Sequence, residues 1–179
     1  RPLVHLRDCL IFAFLSEVPF DMVCSGKYFD LHNQNVMFTW FLGLLVCLIS
    51  RKFLDISIDD SDISETVCGL ASFGVCLVFC IVAYVCRVDY ISIGIFSMFL
   101  IFLVGYRTKF KCSYALLGVV VAFIDGLCSV TIWTFPAVLL LCLYDNKRYV
   151  KTAALQKYSF YLFYPVHLFI IGLLAMYVF

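Results

Sequence analysis

Two stretches of this chain, residues 67–86 and 158–179, run without a single Asp, Glu, Lys or Arg. A helix needs about 20 apolar residues to cross a hydrocarbon core of about 30 Å, with about 17 the usual lower end, and both stretches meet that length. Two shorter runs, 36–50 and 91–106, reach it only with polar flanks or local thinning of the bilayer. The rest of the composition follows suit, with 64% hydrophobic and 14% charged residues and a mean hydropathy of +1.03. A soluble domain is nearer half apolar and a quarter charged. One core could not hide that much apolar surface in a chain of 179 residues. A soluble enzyme is therefore excluded. Disorder and nucleic-acid binding are excluded as well, because the chain is apolar, its net charge is only +1, and its basic residues form short isolated clusters.

Ten cysteines would suggest a disulfide scaffold in a short secreted chain. Cys47, Cys68, Cys76, Cys80, Cys128 and Cys142 instead sit in apolar runs, where Cys behaves as a small hydrophobe. Without a CxxC spacing or a His near two cysteines, no metal site is expected. The chain begins at Arg1 with no Met and no signal-peptide pattern, which reads as a processed protein or the remainder of a longer one.

Charge placement sets the number and direction of the spans. The run 9–20 is short and carries Glu17 and Pro19 near its end, so it reads as a polar-tipped helix packed against other helices. Residues 113–144 are too long for one upright span, short for two, and interrupted by Asp125 and Gly126. Cytoplasmic loops collect Lys and Arg. If 113–144 is a hairpin, one side of the membrane receives Arg1, Arg7, Arg51, Lys52, Arg107, Lys109, Lys111, Lys147, Arg148, Lys151 and Lys157, eleven of the 13 basic residues, leaving Lys27 and Arg87 on the other. A single crossing would reduce that bias to seven against six. The expectation is thus an all-α, polytopic transmembrane bundle of about seven hydrophobic helices, one domain over 1–179. The visible N-terminus is cytoplasmic, Phe179 is extracytoplasmic, and 113–144 forms a hairpin or a re-entrant pair. The segment 51–65, rich in Asp, reads as a solvated connector.

In this layout Glu17, Asp21, Asp89 and Asp125 approach the outer face. A carboxylate at mid-membrane costs about 2.5 to 3.5 kcal/mol on insertion scales, so the deepest of them are expected to be paired or to line a cavity. The competing reading makes them wet interface residues or partners of Lys27 and Arg87. His167 lies well inside the final run and can exchange a proton near neutral pH. Tyr164 shares its helical face, and Pro165 frees a backbone carbonyl nearby. The competing reading is a buried neutral His satisfied by that carbonyl or by a Tyr hydroxyl. Pro19 is expected to break the first helix, leaving Glu17 and Asp21 beside an irregular turn. Asn33-Gln34-Asn35 is expected to cap the helix that starts at Val36.

Ser16-Glu17-Val18-Pro19-Phe20-Asp21, then Gln34-Asn35-Val36-Met37-Phe38-Thr39 with Leu42-Gly43-Leu44-Leu45, Asp89-Tyr90 with Gly94, and Tyr161-Leu162-Phe163-Tyr164-Pro165-Val166-His167-Leu168 resemble the TraX family of integral membrane proteins. The order and spacing match over essentially the whole chain, and the first and last motifs are the specific ones. The resemblance implies an acyltransferase of the bacterial inner membrane. The family's namesake acetylates the N-terminal amine of the conjugative F-type pilin subunit using acetyl-CoA. Many relatives occur in bacteria without such a pilus, so the acceptor, a pilin-like protein or a surface glycan, stays open. Members usually begin with further hydrophobic helices bearing an Asp-His pair. The chain is accordingly expected to be the C-terminal portion of such a protein, inactive alone if those helices carry an essential His. The family's Asn-Gly loop before the final helix is replaced here by Asp145-Asn146-Lys147-Arg148-Tyr149.

Acyl transfer needs a base for the acceptor proton and a donor or cation for the developing oxyanion. The resulting expectation gives His167, Glu17 and Asp21 catalytic roles and has Asn35, Asp89, Tyr90, Asp125 and Tyr164 bind the acceptor. The phosphates of acetyl-CoA would meet Arg107, Lys109 and Lys111, or Lys147 and Arg148, with no metal involved. Membrane lipid is the other partner, and nucleic acid is not one. A proton-coupled transporter, or a non-catalytic membrane component of a conjugation or secretion system, would use the same polar residues differently.

Overall fold

A computed structural model describes residues 2–59, 64–107 and 153–177 of the chain. Five helices account for almost all of them: α1 (Pro2–Cys24), α2 (Val36–Asp59), α3 (Glu65–Val85), α4 (Ile91–Arg107) and α5 (Ala153–Tyr177). Among the described residues there is no strand, only an isolated bridge between Gln34 and Val88. The all-helical class is as expected. The hairpin expected over 113–144 lies outside the described residues, so five of the seven expected helices are seen. The chain divides into two units, 1–95 with 150–179 and 96–149, and the packing of α1, α2, α3 and α5 lies within the first.

The distribution of polarity is the reverse of a water-soluble bundle. Asp8, Ser16, Glu17, Asp21, Asn35, Thr39, Ser50 and Ser72 are buried, while Val67, Leu70, Leu77, Val78, Ile81 and Val85 on α3 are exposed. Helix α2, over Val36–Ile56, and α3, over Glu65–Val85, are each long and apolar enough to cross a membrane. Lipid on the outside and polar side chains on the inside is how such helices avoid leaving polar groups in hydrocarbon. Helix α1 packs against both α2 and α5, and α2 against α3. Phe12, Ala13 and Met37 form a buried cluster between α1 and α2, with Phe38, Tyr161 and Tyr164 against it. Phe12 stacks on Tyr161 at 5.2 Å between ring centroids. Gly172 permits the close approach of α5 to α1, since a Cβ there would stand 2.9 Å from Met22 Cβ.

Two expectations are corrected. Pro19 does not end α1, which runs on to Cys24. Proline deprives Leu15 of its usual amide donor. Burial of the following residues against neighbouring helices offsets that loss, and breaks of this kind are tolerated where protein surrounds the backbone. The second correction concerns 51–65, where α2 continues to Asp59. Leu54 is buried and an Arg51–Asp55 pair at 3.6 Å spans one turn, so inward packing and an i,i+4 pair extend the helix into a segment whose acidic residues resemble a loop.

One end of this unit is tied together by three sets of bonds. Gly26, at φ +66°, lets the chain leave α1, and Asp30 N–H then donates to Asp21 Oδ2 at 2.7 Å. Gln34 N–H donates to Arg87 O (3.0 Å) and Asp89 N–H to Gln34 O (2.9 Å), joining the loop 25–35 to the turn 86–90. The hydroxyls of Tyr28 and Tyr177 meet at 2.7 Å, bringing in the end of α5. This is the end to which the charge pattern assigns Lys27 and Arg87. The 86–90 turn and the start of α4 are bent sharply, with Arg87, Tyr90 and Ile91 all at positive φ (51°, 60° and 44°). Each costs of order 1 to 3 kcal/mol, so the bonds to Gln34 hold a strained turn in place.

Candidate functional site

The site begins on α1, where Glu17 and Asp21 share a face by their i,i+4 spacing. Asp21 is 2% exposed and Glu17 8%. Asn35, the residue before α2, is fully buried opposite them. Its Oδ1 accepts Met37 N–H at 2.9 Å, which is the expected cap of α2. Its Nδ2 donates to Ala13 O at 2.8 Å and also to Glu17 Oε2. Glu17 Oε1 is buried and accepts no hydrogen bond among the described residues.

Helix α5 closes the site from the other side. The Tyr164 hydroxyl faces the backbone of Val36 at the start of α2, and Glu17, Asp89 and Cys24 lie within electrostatic range of it. His167 sits one turn further along, half-buried, with the Tyr164 ring edge-on at 5.6 Å and the Phe163 ring stacked at 4.8 Å. Its Nδ1 lies 2.7 Å from Phe163 O. A carbonyl can only accept, so Nδ1 carries the proton and Nε2 is left as the basic atom. The partner is the ordinary i−4 carbonyl of Phe163 rather than the Tyr161 carbonyl that Pro165 frees.

The 86–90 turn supplies Asp89, which is half-buried. Its Oδ1 accepts Tyr90 N–H at 3.1 Å, and its backbone carbonyl accepts the Thr39 hydroxyl. Loss of water around the Asp89 carboxyl raises its pKa above the ordinary aspartate value. Asp30, in the loop, moves the other way: hydrogen bonds from the ring and backbone of His32 hold its carboxyl below that value. Gly94 allows the start of α4 to pass close to α2, because a Cβ there would lie 2.7 Å from Thr39 Cγ2.

The structure therefore gathers Glu17, Asn35, Tyr164, His167 and Asp89 around one region. Asp21 borders it, but its Oδ2 is taken by the Asp30 amide, so its contact is with the loop. Tyr90 is exposed at the rim. Arg107 ends α4, in the second unit, while Asp125, Lys109, Lys111, Lys147 and Arg148 lie outside the described residues. The ion pairs seen among the described residues do not include Glu17, Asp21 or Asp89, and Lys27 pairs with Asp30 at 3.8 Å. Thr39 was not anticipated from sequence, although its i,i+4 spacing from Asn35 is the signal that places both on one face of α2.

Among protein families, the chain matches the model described as TraX protein over residues 4–175. No curated protein and no solved structure matches it.

Proposed function

The chain belongs to the TraX family, and on that premise we propose that it is a membrane-embedded acyltransferase that moves an acetyl group from acetyl-CoA to an N-terminal amine of a pilin-like protein or to another cell-surface acceptor. The supporting observation is the position of Tyr164, whose hydroxyl adjoins the Glu17–Asn35 pair while its ring lies against His167. A base, a carboxylate and a hydroxyl donor thus share one polar region inside an apolar bundle.

With an amine acceptor, the nitrogen lone pair attacks the thioester carbonyl, a C–N bond forms, and the C–S bond breaks. His167 Nε2 takes the proton the nitrogen loses and passes it to the departing thiolate, which leaves as the free thiol. A positioned base contributes typically 10²- to 10⁴-fold. Glu17 Oε1 is an acceptor for the incoming N–H, and the Tyr164 hydroxyl, beside the start of α2, donates to the developing oxyanion. Asp89 adds negative charge at the entrance. Arg107, Lys109 and Lys111 are assigned to the acetyl-CoA phosphates on charge alone. In the bacterial inner membrane, the end that joins loop 25–35, turn 86–90 and the end of α5 would face outward, because it holds only Lys27 and Arg87 of the basic residues.

The test uses membranes containing the full-length protein and acetyl-labelled CoA. Label should appear covalently in a protein or glycan fraction, and not in membranes lacking the protein. Solute or proton uptake without a labelled product would replace this reading with that of a transporter.

A further inference from the structure

Asn35 spends every hydrogen-bonding group of its side chain on the protein itself. Oδ1 caps α2 through Met37 N–H, and Nδ2 serves both Ala13 O and Glu17 Oε2. The Asn35 backbone N–H also points at Oε2, from 3.5 Å. Both Nδ2 hydrogens are thereby spent within the protein, and Oδ1 is engaged by the helix it caps. We propose that Asn35 is a positioning residue: it docks the N-terminus of α2 onto α1 and anchors the Glu17 carboxylate by Oε2, leaving Oε1 as the oxygen presented to the acceptor. This rests on the reading of Glu17 as part of a transfer site.

The chemistry explains why the position holds an amide. Ser or Asp caps a helix as well as Asn does. Neither replaces Nδ2, because a serine hydroxyl is too short to reach across and a carboxylate only accepts. The start of α2 also carries partial positive charge, so the dipole and the Nδ2 bond both draw the Glu17 Oε2 atom to that point. An apolar helix pair acquires a fixed carboxylate oxygen at the same contact that sets the packing of α1 on α2.

The experiment is pH-dependent infrared difference spectroscopy of the full-length protein in liposomes, following the carboxyl C=O band that Glu17→Gln removes. The other titratable groups around Glu17 are Asp21 and Cys24 on α1, Asp89 in the 86–90 turn, and Tyr164 and His167 on α5, and all are retained in the variants. In Asn35→Ser the midpoint of the Glu17 band should rise by roughly one to two pH units, the size carried by a hydrogen bond to a charged group. In Asn35→Asp it should rise further, because a second carboxylate then faces the first. Should the serine variant fail to insert, Asn35→Thr, which still caps the helix but has no amide donor and adds no charge, carries the test. A midpoint that stays put or falls overturns the inference. The spectra need no acceptor, so an upward shift in a protein that transfers no acetyl group would sink the acyltransferase reading and leave the positioning role intact. Transfer without any shift would do the opposite.

Discussion

Glu17 and Asp89 are both carboxylates at one end of the bundle, yet their surroundings ask different things of them. Glu17 is nearly enclosed and held by an amide, while Asp89 is half-buried in a strained turn with one amide bond to Tyr90. Burial raises the Asp89 pKa, which means that the folded chain binds that proton more tightly than the unfolded chain. The linked stability is present below the ordinary aspartate value of 3.8, which the unfolded chain keeps, and is lost as pH rises through the folded pKa. At neutral pH the charged group therefore opposes folding. Asp89→Asn keeps an oxygen for the Tyr90 amide, so its melting temperature in detergent should exceed wild type at pH 7 and approach it near pH 4. Acetyl transfer should fall in the same variant, the usual trade of function for stability at a site. A lower melting temperature at pH 7 would show that the ionised carboxylate stabilises the turn.

At the scale of elements, the apolar runs locate the cores of α2, α3, α4 and α5, because lipid-length hydrophobicity is a one-dimensional property. What they miss is set by neighbours. Proline rules describe the loss of one hydrogen bond in a helix, whereas α1 is kept intact through Pro19 by packing on α2 and α5. The acidic stretch after Arg51 reads as a loop until Leu54 is found buried. Within the site, Glu17 with Asp21 and Tyr164 with His167 are legible from helical spacing alone. The contact of Asn35 with Glu17 joins separate elements, and so does the diversion of Asp21 to the Asp30 amide; no periodicity in the sequence announces either.

Helix contacts give the element-scale prediction. Gly172→Ala would place a methyl group 2.9 Å from Met22 Cβ, where backbone-proximal carbon cannot easily yield. Separation of α1 from α5 should cost about 1 to 3 kcal/mol. Gly74→Ala meets nothing within 4 Å, and removing glycine's backbone freedom from a helix should gain about 0.5 to 1 kcal/mol. Thermal melts in one detergent should therefore order the proteins Gly74→Ala, wild type, Gly172→Ala, from most to least stable. The reverse order would mean that α1 and α5 do not pack as closely as described.

For the whole molecule, family membership and geometry meet at the polar region around Glu17 and Asn35. Loop 25–35, turn 86–90 and the end of α5 are fastened together directly beside it, so the elements that carry Asn35, Asp89 and His167 are held by the same end of the structure. On the proposed function this region performs acyl transfer, with His167 as base and Glu17 as the acceptor's partner. Its most direct test is the rate of acetyl transfer from labelled acetyl-CoA by His167→Ala and Glu17→Gln, each as the full-length protein at equal abundance in membranes, with the exposed His32→Ala as control. A loss of about 10²-fold or more is expected in both site variants, with wild-type rates in the control. Transfer at wild-type rates in both site variants would contradict that function.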